Sequence, residues 1–154
     1  MKNCKKNATV VKKTHSVKNN LLTLPDRKIK WLSRTYYGHT HDKKICDCQP
    51  LKLPKGITLW QDTGFVGHIP DGVEIQMPTK KPKGKELTDQ QKKRNREISK
   101  FRILVEHAIS GAKRCRIVKD RLRCHKFLFD DLIMELACGL HNFRIELKTN
   151  PLLI

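Results

Sequence analysis

At 154 residues the chain can build one domain with a core of its own, although its 38% apolar content is slightly low for a self-sufficient globule. Thirty-three Lys and Arg against 15 Asp and Glu leave a formal net charge of +18, whose self-repulsion weakens the compact state until a polyanion neutralises it, so the charge points to nucleic acid. Six cysteines are too few for a disulfide scaffold, no signal peptide opens the chain, and no apolar run approaches the ~18 residues of a membrane span.

The first twenty residues hold six lysines and no acid. A β-prone stretch from Lys13 to Leu24 closes at Pro25-Asp26, and Lys28-Ile29-Lys30-Trp31-Leu32-Ser33 alternates polar and apolar beyond it. The spacing predicts an antiparallel hairpin. After Gly38-His39-Thr40-His41, Asp42 is expected to cap a short helix over 43–48 by accepting backbone N–H bonds. Ile57-Thr58-Leu59-Trp60 reads as a short strand buried on both faces, emptying into Gln61-Asp62-Thr63-Gly64. Asp62 would then stand where a central strand ends.

Residues 66–87 hold Pro70, Pro78 and Pro82 with Gly67, Gly72 and Gly84, and predict an irregular basic loop around Lys80, Lys81 and Lys83. Thr88-Asp89-Gln90-Gln91 is a capping box, opening a helix that can run to Gly111. On it Ile98, Phe101, Val105, Ala108, Ile109 and Ala112 form one apolar arc, with Asn95, Ser99, Arg102, Glu106 and Lys113 beside it. A second helix from Lys126 to Arg144 offers Leu132, Ile133, Leu136, Ala137, Leu140 and Phe143 as packing against the first. Cys46 and Cys48 are too close for a zinc knuckle, and Cys115, Cys124 and His125 complete no ligand pattern, so the cysteines read as reduced thiols.

Cleaving a phosphodiester requires an activated attacking oxygen and a stabilised leaving oxygen, and a pair of divalent cations held by carboxylates does both. One carboxylate at the end of a buried strand and another on a helix over the sheet build part of such a site. Asp62 and Glu106 suit those positions, and Arg102 and Lys113 beside Glu106 suit phosphate contacts. The plainer alternative makes Asp62 a turn residue and Arg102 with Glu106 a helix-spaced ion pair.

Trp60-Gln61-Asp62-Thr63-Gly64-Phe65, then Lys80-Lys81-Pro82-Lys83-Gly84-Lys85-Glu86-Leu87-Thr88, Asn95-Arg96-Glu97-Ile98-Ser99, Arg102-Ile103-Leu104-Val105-Glu106-His107 and Lys113 agree in order and spacing with one family. The chain resembles, over roughly residues 10–145, the DDE endonuclease domain of bacterial insertion-sequence transposases and their Harbinger-like eukaryotic relatives. Lys12 to Asn19 and Gly38-His39-Thr40-His41-Asp42 look like that family's second strand and its His-Asp motif.

The resemblance implies an α/β, RNase H-like fold, DNA as substrate, and Mg²⁺ or Mn²⁺ held by an Asp-Asp-Glu triad. Asp62 matches the second acid and Glu106 the third, which makes both expected catalytic residues and metal ligands. Asp42 is a further acid of the motif. Lys80, Lys81, Lys83, Arg102 and Lys113 are the expected DNA contacts. No acidic residue precedes Asp26, so the first acid finds no match. We therefore expect a partial endonuclease domain over 1–145, an incomplete mixed sheet flanked by helices without its first strand, and a tail over 146–154.

The function expected is that of a transposase fragment with an incomplete site. The rival is a non-catalytic DNA-binding remnant that regulates, or pairs with, a full-length relative or itself. A basic RNA-binding protein is a third reading, which the scattered aromatics do not favour. The setting expected is the bacterial cytoplasm at the nucleoid, or the nucleus of a eukaryote, with no membrane partner.

Overall fold

In a computed structural model, residues 17–84, 86–120, 124 and 126–150 are described. The expected strand's opening, residues 13–16, lies outside them. The chain divides into two compact units: one takes the described residues up to Thr40 and from Leu104 onward, the other His41–Ile103.

In the first unit β1 (Val17–Lys18) pairs antiparallel with β4 (Tyr36–Tyr37), and β2 (Leu21–Thr23) with β3 (Ile29–Leu32). The expected hairpin is present, and the outer ladder lengthens it. Between the ladders the Asn19 amide donates to the Ser33 carbonyl at 3.0 Å and to Thr35 Oγ1 at 2.9 Å, while Ser33 Oγ accepts from the Asn20 N–H at 2.8 Å. Side chains thus satisfy backbone groups that the break in pairing exposes.

Helix α3 (Phe129–Thr149) holds this hairpin through polar side chains and passes through the expected start of the tail. Asn142 accepts from the Ile29 N–H and donates to the Ile29 carbonyl, both at 2.8 Å. Asp131 Oδ1 accepts from the Thr35 N–H, and His141 Nε2 donates to the Arg27 carbonyl at 2.9 Å. Ile29, Ala108, Ala112 and Cys138 form a small core that Leu21 and Leu32 cover.

The residues of α3 that the sequence assigned to packing are split: Ile133 and Ala137 are buried, with Asp131, Cys138 and His141, but Leu132, Leu136, Leu140 and Phe143 are turned outward, 44–62% exposed. Hydrogen bonds to the hairpin backbone, invisible to hydrophobic periodicity, select the buried face.

The second unit contains α1 (Asp42–Cys48), β5 (Thr58–Trp60), a 3₁₀ turn over Thr63–Phe65 and β6 (Glu74–Gln76). β5 and β6 pair in parallel, Leu59 opposite Ile75. Two expectations change here. The basic loop contains a strand, β6, that its prolines and glycines concealed. β5 has one neighbouring strand among the described residues, and Thr58 and Trp60 are exposed, so it is not buried on both faces. Trp60 instead stacks on Phe101 with ring centroids 4.2 Å apart.

Helix α2 (Asp89–Ala112) begins in the second unit and ends in the first. Its capping box forms as expected: Thr88 Oγ1 accepts from the Gln91 N–H at 3.3 Å and Gln91 Oε1 from the Thr88 N–H at 3.1 Å.

The fold is α/β, and its strands pair both ways, but among the described residues they form three two-stranded ladders rather than one sheet. Cys46, Cys115, Cys124 and Cys138 are reduced, as expected; Cys48 is disulfide-bonded, against expectation. No described helix is long and apolar enough to cross a membrane.

Candidate active site

Asp62 follows β5 after one residue and caps the 3₁₀ turn, its Oδ1 accepting from the Thr63 N–H at 2.7 Å. Its Oδ2 faces the Arg102 guanidinium at 3.6 Å. Both side chains are about half exposed, so this pair orients the carboxylate more than it stabilises the fold. Before it, the Gln61 N–H bonds to the Gln76 carbonyl at 2.9 Å, continuing the parallel ladder to the threshold of the turn. The ladder therefore fixes where the Asp62 backbone leaves the strand.

Asp42 does not cap α1. His41 occupies the cap position and Asp42 opens the first turn, where a carboxylate complements the positive end of the helix. A Cβ placed on Gly64 would overlap the Asp42 carboxylate. The glycine two residues after Asp62 thus admits Asp42 against the same turn, and the structure brings Asp42, Asp62 and Arg102 into one neighbourhood.

Glu106 is exposed on α2 within the first unit, one helical turn after Arg102, and Lys113 is exposed just past the helix end. Lys80, Lys81 and Lys83 are exposed; Lys81 pairs with Glu86 at 2.5 Å, and Lys92 approaches the same carboxylate at 3.9 Å. Asn95 fixes the entrance to this loop, since its amide accepts from the Thr79 N–H at 2.9 Å and donates to the Thr79 carbonyl at 3.0 Å. The sequence reading placed Asn95 in a family motif but not in this role. Its donor–acceptor amide beside a proline-rich loop was the available signal.

Residues 5–142 match the profile of the DDE superfamily endonuclease family. The chain belongs to that family. Within it, the chain is 32% identical over 111 residues to a probable transposase for insertion sequence element IS702 of Microchaete diplosiphon. That match takes in 72% of this chain and 40% of the relative's length. No solved structure matches.

DDE endonucleases generally depend on divalent metal, and the carboxylates of Asp62, Asp42 and Glu106 are the hard oxygen donors such cations prefer. Among the described residues, however, no three His, Cys, Asp or Glu side chains gather to hold a metal ion. By themselves the described residues do not fit a two-cation site.

Proposed function

We propose that this chain is the part of a transposase that carries the second and third acids of an RNase H-like DNA-cleaving and strand-transferring domain, Asp62 and Glu106. The observation that carries the reading is the placement of Asp62: a carboxylate at the end of a parallel ladder, directed at Arg102 on the helix that bears Glu106 one turn later. Arg102 and Lys113 would meet phosphates there, and Lys80, Lys81 and Lys83 the flanking DNA backbone. Mg²⁺ or Mn²⁺ is held on this reading once another carboxylate joins Asp62 and Glu106. Asp42, set against the turn that Asp62 caps, is one such carboxylate.

That no three metal-holding side chains gather among the described residues favours a second reading, a DNA-binding regulator that does not cut. Nicking of supercoiled DNA with Mg²⁺ or Mn²⁺ separates the two. The unextended chain should bind DNA without cleaving it. A version carrying an added amino-terminal strand with an aspartate should nick, and lose activity in Asp62→Asn and Glu106→Gln. Nicking by that version that survives both substitutions would sink the site assignment, and binding without nicking throughout would leave the regulator. Nicking by the unextended chain that vanishes in Asp42→Asn would make Asp42 the third acid.

A further inference from the structure

The first unit contains a cleft of about 240 Å³ whose wall carries Arg27, His107, Arg114, His141, Arg144 and Lys148, and no acid. Two of these groups are committed to the fold: His141 to the Arg27 carbonyl, and Arg144 Nη2 to the Gly111 carbonyl at 2.9 Å. The side chains of Arg27, Arg114 and Lys148 have no ion-pair or hydrogen-bond partner among the described residues. Lys28, Lys43, Lys81, Lys92, Arg102 and Arg116 by contrast all face carboxylates. Glu146, on the same helix as Arg144, faces Lys28 at 3.9 Å rather than the cleft. Cations gathered in a concave surface without counter-charge repel one another and raise the local concentration of anions.

The backbone adds an independent sign. Arg27 sits in the left-handed region at φ 70°, in a turn closed by its own N–H on the Leu24 carbonyl at 2.9 Å. Glycine takes that conformation without strain, whereas an arginine there costs about 1 kcal/mol or more and persists where surrounding contacts enforce it. The hydrogen bond from His141 to the Arg27 carbonyl is such a contact. Arg27 lines the cleft from this strained turn, and a glycine there would bring no guanidinium. Gly111, which lines the same cleft, leaves room for the His141 ring, since a Cβ there would overlap it.

We propose that this cleft is a second DNA contact, binding the phosphodiester backbone of a duplex through Arg27, Arg114 and Lys148; it rests on the transposase reading but uses none of the residues assigned above. A guanidinium forks onto two phosphate oxygens, and the lysine adds a point charge.

The test measures duplex affinity against salt concentration for three proteins: the wild-type chain, Arg27→Ala/Arg114→Ala/Lys148→Ala, and a control of equal charge, Lys52→Ala/Lys55→Ala/Lys119→Ala. The logarithmic slope should fall in the cleft variant by about 0.9 for each phosphate left without its cation, about 2 to 3 in all, and much less in the control. Equal slopes for the cleft variant and the control would overturn the proposal while leaving the transposase reading intact. A wild-type chain that binds no duplex would sink both. Weakened binding of inorganic phosphate with an unchanged duplex slope would assign the cleft to a small anion and overturn the duplex assignment.

Discussion

Gly64 leaves no room for a methyl group beside the Asp42 carboxylate, so the contact between α1 and the turn after Asp62 is set by an absent side chain. Replacing Gly64 with Ala forces that carboxylate aside, and overpacking of this kind costs about 1–3 kcal/mol. The cost should shrink when Asp42 is removed as well. A double-mutant cycle on thermal or denaturant unfolding, pairing Gly64→Ala with Asp42→Ala, should return a coupling of about 1 kcal/mol. Independent effects of the two changes would show that Asp42 is not held at this turn. Gly111 works the same way against His141, and neither glycine has a positive φ. Each is required by a neighbour's closeness, not by its own backbone.

Two asparagines do for the elements what a neighbouring strand would do, each presenting one donor and one acceptor to the backbone of a single residue. Asn95 holds Thr79, 16 residues away, and Asn142 holds Ile29, 113 residues away. Asn95→Ala removes both partners of the Thr79 backbone, and we expect a loss of about 1–3 kcal/mol with faster amide exchange at Thr79 and along the basic loop. Unchanged exchange there would mean that the loop is anchored otherwise.

The same elements mark how far a linear reading reaches. The capping box of α2 was legible because its partners lie three residues apart. The stretch around Asp62 was legible because the residues that define it are contiguous. β6 was not, because its pairing with β5 crosses a segment rich in turn residues. The buried side of α3 was legible only at Ile133 and Ala137, because Asp131, His141 and Asn142 bond to a hairpin about a hundred residues earlier in the chain. The grouping of Arg27 with Arg114 and Lys148 depends on that same docking.

For the molecule as a whole, alkaline pH probes the core. Burial, with Cys115 nearby, pushes the Cys138 thiol from 9.0 up to about 11. The folded state therefore keeps this proton more tightly than the unfolded chain does. Its contribution to stability is complete below 9.0 and is lost as the pH rises towards about 11. The unfolding free energy of the wild-type chain should fall more steeply across that window than that of Cys138→Ala, where this proton is missing. Parallel curves for the two would place the thiol in contact with water.

The outward apolar face of α3, Leu132 to Phe143, shares the molecule with a charge of +18. In dilute buffer the charge holds copies apart at a range of several ångströms to tens of ångströms, and the oily stripe is of little consequence. Concentrated salt removes that long-range repulsion while leaving contact between leucines undiminished. The salt that strips a polyanion from the protein thus also brings its stripes within reach of one another. The protein's colloidal state is tied to its electrolyte.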